Sequence, residues 1–216
     1  MILEPITAKL LAVQRIPNAD PAVLRSYGAD PERHASLGLV TCDQDDPLYV
    51  ALDEATKHAD VDVVFARSFY AGAAHASGRL SGEILGVFAA PDPDEINEAL
   101  SAVRRSIEHD PCFYAADSAA SVTVFPHVIA SLGHYLSAQA GLAVGDPMAY
   151  LVAPPIEAGI ALDHALKNAD VRAVKVFPPP SETNFAAAWL TGTLDACEAA
   201  AEAYAEAVVR VAARPT

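Results

Sequence analysis

The sequence predicts an α+β protein of two tandem domains, each an antiparallel sheet with packed helices. Three observations carry this. Residues 51–64 (ALDEATKHADVDVV) and 161–174 (ALDHALKNADVRAV) share nine identities in fourteen positions at an offset of 110, about half of the 216 residues. Such internal self-similarity marks a duplicated unit. The same order of β-branched runs and helical stripes follows in each half. Hydrophobic residues make up 52% of the chain against 19% charged, an apolar surplus beyond one soluble core, which points to buried subunit interfaces. The expected boundaries are 1–110 and 111–216.

The elements follow in order. Residues 7–16 read as a leading strand, and Ser36–Cys42 (SLGLVTC) as a second. Asp46-Pro47 reads as an N-cap with a first-turn proline, opening a helix to His58 that buries Val50, Leu52 and Ala55. Residues 61–66 and 80–89 are strands, the latter containing Gly82 and Gly86. Pro91-Asp92-Pro93-Asp94 then caps a helix to about Glu108, whose stripe is Ile96, Ala99, Leu100, Val103 and Ile107, the i, i+3, i+4, i+7 spacing of an amphipathic helix. The second half repeats this: strands over 120–129, 149–153, 171–177 and 185–191, with helices over 155–168 and 195–213. On the last helix Glu198, Glu202 and Glu206 form a polar stripe running toward Arg210.

Charge and composition exclude several classes. With 14 Lys+Arg against 28 Asp+Glu the net charge is −14, and no basic cluster is present to neutralise phosphates, so nucleic acid is not an expected partner. No run approaches the roughly 18 apolar residues of a membrane span, and no secretory signal pattern opens the chain. Cys42, Cys112 and Cys197 are far apart and odd in number, the usage of a reducing, cytoplasmic environment. The seven histidines (His34, His58, His75, His109, His127, His134 and His164) lack HxH or HxxxH spacing, so no metal is expected. No GxSxG elbow or phosphate-cradling loop is present, so neither a catalytic residue nor a cofactor is expected.

The repeat string AxDxAxKxADV resembles the bacterial microcompartment shell (BMC) domain. SLGLVTCDQDD at 36–46, ALDEATK at 51–57, ARSFYAGAAH at 66–75, GDPMAYLVAPP at 145–155 and PPPSETN at 178–184 are similar to the L-type shell proteins of ethanolamine-utilisation microcompartments. The resemblance spans essentially the whole chain. It implies two tandem circularly permuted BMC domains (the BMC-T class) and a trimeric, pseudohexameric tile packed edge to edge with other shell proteins. It also implies pores for small metabolites and no enzymatic activity. The alternative within the family is the shell of a related compartment that handles an aminoketone or 1-amino-2-propanol.

The same resemblance implies site residues. Asp45 and Glu83 match carboxylates of a small pore that would receive the ammonium of an amino alcohol, with Phe113 matching an aromatic beside it. An ammonium supplies three donors and no acceptor, which suits paired carboxylates. Read on their own, Asp43, Asp45 and Asp46 could instead cap the first helix, and Glu83 could be an outward-facing strand residue. The loops at 68–78 and 178–184 would surround a central pore lined by Phe69, Tyr70, His75, Ser181, Glu182 and Thr183, or be ordinary connections. A small duplicated α+β enzyme or ligand-binding regulator, with Asp45 and Glu83 as acid and base, is the alternative class.

Overall fold

The computed structural model describes residues 4–69, 82–179, 185–214 and 216. Its elements run β1 (Glu4–Thr7), β2 (Leu10–Ile16), α1 (Pro21–Ser26), β3 (Ser36–Cys42), α2 (Asp45–Ala55), β4 (Asp62–Ser68), β5 (Ile84–Ala90) and α3 (Pro93–His109). They continue as β6 (Cys112–Ala115), β7 (Thr123–Ile129), α4 (His134–Ala140), β8 (Met148–Ala153), α5 (Pro155–Asn168), β9 (Arg172–Phe177), β10 (Ala186–Thr191) and α6 (Leu194–Ala212). They form two compact units. One comprises Ala8–Pro111 with Gly133–Leu136; the other comprises the chain up to Thr7, Cys112–Leu132 and Ser137–Thr216.

In the first unit an antiparallel sheet has the order β2-β3-β5-β4. Successive side chains of a strand point to opposite faces, and here both faces are covered. Helices α2 and α3 meet Val40, Ile84, Phe88 and Ala90 on one side. A smaller cluster of Leu24, Leu37, Val87 and Ala89 lies apart from it. This explains why β5 is almost continuously buried, a pattern of two-sided burial. The α3 stripe is buried as its period predicts, and Asp92 caps that helix by accepting the Asp94 and Glu95 N–H groups.

The second unit repeats the order as β7-β8-β10-β9, with β6 and then β1 added beyond β7. Helices α5 and α6 pack on one face through small residues, including Ala149, Ala153, Ala161, Ala165, Ala200 and Ala207. Small side chains let helix and sheet backbones approach closely, which accounts for much of the alanine excess of this half. The identity of strand order in the two units is the structural counterpart of the sequence repeat.

Several elements differ from the sequence expectation. The leading strand is broken: β1 pairs with β6 of the second unit (Glu4↔Ala115 to Thr7↔Cys112), whereas β2 pairs with β3. The break falls at Lys9, whose N–H donates to the Asp43 carboxylate and whose carbonyl accepts the Asp43 N–H. Asp46 is not the N-cap of α2. The helix begins at Asp45 after an extended Gln44 and ends at Ala55, so His58 follows it in a turn. Pro47 is tolerated because the first-turn N–H it lacks would have no intrahelical acceptor. Strand β5 opens at Ile84, later than its apolar run suggested, because Gly82 adopts φ +61°. The short elements β1, β6, α1 and α4 carry too few residues for a period to register.

Candidate functional site

Asp45, Glu83 and Phe69 gather at one end of the four-stranded sheet. Strand β3 ends at Cys42, whose carbonyl accepts the Glu83 N–H at 2.7 Å. The Glu83 carbonyl accepts the Phe69 N–H at 2.7 Å, so the backbone of Glu83 is held between the ends of β3 and β4. Gly82 makes this entry possible. A Cβ there would lie 2.8 Å from the Cys42 carbonyl oxygen and the backbone is left-handed, a conformation that costs other residues roughly 1–2 kcal/mol. Glu83 itself is half-buried.

Three residues beyond Cys42, the half-buried Asp45 starts α2. Its Oδ1 accepts the Asp46 N–H at 2.9 Å and its Oδ2 accepts the Ser68 hydroxyl at 2.8 Å. Ser68 Oγ in turn lies 3.1 Å from Tyr49 Oη. Hydrogen bonds donated to a carboxylate favour its charged form, as does the positive end of a helix. Asp45 thus does locally what a helix-start aspartate does, yet its second oxygen is directed at β4. Asp43 is occupied by Lys9, and Asp46 is buried at 7% exposure. Neither Ser68 nor Tyr49 was singled out from the sequence; the i, i+4 spacing of Asp45 and Tyr49 on one helix face was the available signal.

Phe113 lies in the other unit. It is a buried β6 side chain 5.0 Å from Phe125 and 6.3 Å from Phe185, ring to ring. Phe125, Tyr150, Trp189 and Phe177 continue as edge-on contacts across that sheet, with Lys175 Nζ 4.9 Å from the Phe177 ring centre. Tyr70, His75, Ser181, Glu182 and Thr183 lie outside the described residues.

Four of the described histidines make structural contacts. Buried His34 accepts the Asp30 N–H at Nδ1 (3.1 Å) and donates from Nε2 to Asp62 (3.0 Å), which fastens residues 30–34 to β4. His58 meets Glu54, His109 donates to the Arg105 carbonyl, and His164 contacts Asn168. Among the described residues no cluster of three His, Cys, Asp or Glu could hold a metal ion. No helix of the described residues is long and apolar enough to cross a membrane.

A second acidic residue is wholly buried. Asp53, on α2, accepts the N–H groups of Gly133 and Leu136 at 2.7 Å each, while Thr56 Oγ1 accepts that of His134 at 2.9 Å. Burial pushes the Asp53 carboxyl above its ordinary range, against the lowering effect of those two N–H donors. Glu54, next to it, goes the other way. Partial burial would raise it, but its bonds to Lys57 and His58 outweigh that and lower it.

A sheet-and-two-helix domain present twice in one chain, with an acidic cluster at the sheet end of one copy, is the build of a microcompartment shell subunit. The family model described as the BMC domain matches residues 36–116. The chain is 48% identical over 210 residues to the bacterial microcompartment shell protein EutL of Clostridium perfringens, covering 97% of this chain and 96% of that protein. It is 46% identical over 213 residues to EutL of Salmonella typhimurium, covering 99% and 97%. The crystal structure of the ethanolamine utilization protein EutL from Leptotrichia buccalis superposes with a TM-score of 0.94 at 47% identity, covering all of this chain and 99% of that one. The chain belongs to the EutL family of bacterial microcompartment shell proteins. Like those relatives it is a structural shell protein and not an enzyme.

Proposed function

We propose that the chain assembles as a homotrimer forming a pseudohexameric tile, set edge to edge with other shell proteins around a compartment in the bacterial cytoplasm. The acidic end of its four-stranded sheet is a small pore that receives a protonated amino alcohol such as ethanolamine. The observation that carries the pore is the Asp45 carboxylate, held by Ser68 beside the fixed backbone of Glu83. Two carboxylates there attract an ammonium and repel anions. The loops that follow β4 and β9 line a central pore, with Phe69 at the first of them. Assembly is supported by apolar side chains left on the surface of α5 and β9: Ile156 is 72% exposed, Ile160 47% and Val176 48%.

Light scattering after size exclusion tests the assembly: a mass of about 68 kDa, three times 22.6 kDa, is expected, and a monomer overturns it. Calorimetric titration with ethanolamine tests the pore. Asp45→Ala and Glu83→Ala should each weaken binding, and wild-type affinity in both removes the site.

A further inference from the structure

We propose that Ser68 and Tyr49 are positioning residues for the Asp45 carboxylate, forming a one-way hydroxyl chain that keeps it ionised and aimed from α2 toward the end of β4. The inference rests on the amino-alcohol reading of this site and adds the residues that decide how well Asp45 serves it.

The polarity of the chain follows from counting protons. An ionised carboxylate only accepts, so Ser68 must be the donor at 2.8 Å. A serine hydroxyl has one proton, which is then committed to Asp45. The 3.1 Å contact between Ser68 and Tyr49 therefore has Tyr49 as the donor. The order is Tyr49 O–H to Ser68 O–H to Asp45, and each bond strengthens the next by polarisation. Tyr49 lies one helical turn beyond Asp45, so the chain leaves α2, passes through the last residue of β4 and returns to the start of α2. The other carboxylate oxygen is fixed by the Asp46 N–H. Asp45 is thereby held at both oxygens. Among the described residues, the other ionisable groups at this end are Lys9 ahead of β2, Cys42 closing β3, Asp43 after it, Asp46 on α2, Arg67 on β4 and Glu83 before β5. Asp43, Asp46 and Glu83 are carboxyl groups whose negative charge would raise the Asp45 carboxyl's affinity for protons, which makes the hydroxyl donor consequential; burial keeps the Cys42 thiol neutral.

The experiment uses the full chain in two parallel readouts: calorimetric titration with ethanolamine between pH 4 and 9, and the pH titration of the Asp45 carboxyl carbon followed by NMR. Ser68→Ala should move the Asp45 midpoint to higher pH, shift the acid limb of binding the same way, and weaken binding by about fivefold, the effect of one lost hydrogen bond. Ser68→Thr, which keeps the hydroxyl, should restore both. Tyr49→Phe should move both in the same direction by less. An unmoved Asp45 midpoint in Ser68→Ala overturns the inference whether or not the ligand binds. If wild type binds no ethanolamine while the midpoint moves, the chain's action on Asp45 stands and the amino-alcohol reading falls.

Discussion

The Asp53 carboxylate accepts the backbone N–H of Gly133 at 2.7 Å across 80 residues of chain. Its counterpart in the repeat, Asp163, is exposed and pairs with Lys167 one turn along α5 at 2.7 Å. The two aspartates occupy matching positions of a nine-in-fourteen identity and have unrelated roles. The first has a polypeptide segment, Gly133–Leu136, laid against its helix.

Removing the Asp53 side chain should therefore be costly. Asp53→Ala leaves two buried N–H groups without acceptors, and at about 1–3 kcal/mol for each unsatisfied group the loss should be roughly 2–6 kcal/mol in urea unfolding. Asp163→Ala removes an exposed pair and should change stability by less than about 0.5 kcal/mol.

The pH dependence of Asp53 has a definite sign. Its folded-state value is raised above the ordinary 3.8 by burial, so the fold prefers the protonated form. The stability this contributes is complete below the unfolded value and is lost as pH rises through the raised one. Measured against Asp53→Asn, wild type should gain relative stability as pH falls from 7 toward 4. A difference that is flat or shrinks would contradict this.

Gly133 should tolerate no side chain. A Cβ there would lie 2.4 Å from the Asp53 carbonyl oxygen and 2.5 Å from Thr56 Oγ1, and the backbone atom cannot step aside. Overpacking of this kind costs about 1–3 kcal/mol, so Gly133→Ala should lower Tm by several degrees.

The three cysteines are free and unequal. Cys42 is fully buried and its thiol is pushed up to about 12, chiefly by burial. Burial raises Cys197 as well, whereas Cys112 is half-exposed. Because the thiolate is the reactive form, a thiol reagent at pH 8 should label Cys112 first in the native protein. Cys42 and Cys197 should react only on unfolding, as mass spectrometry of peptides would report.

Much of the domain architecture was legible in the chain because it rests on local periodicity. The stripe from Ile96 to Ile107 and the run from Ser36 to Cys42 bury what their spacing says, and a repeat at 110 residues becomes the same strand order twice. The family and its structural role followed from strings that are themselves local. What depended on distant backbone was not legible. Glu4–Thr7 joins Cys112–Ala115 rather than continuing into β2, because strand pairing is settled by which edge is open and not by the strand's own residues. Likewise Asp45 reads as one of three similar aspartates until β4 brings Ser68 to its second oxygen. Asp53 and Asp163 read alike until a segment 80 residues away covers one and leaves the other in water. Local spacing along the chain set the longer elements and the faces they bury, since those are decided within a few turns of chain. Tertiary structure alone decided which acidic groups are held, buried or solvated, since that is set by the donors that folding brings to them.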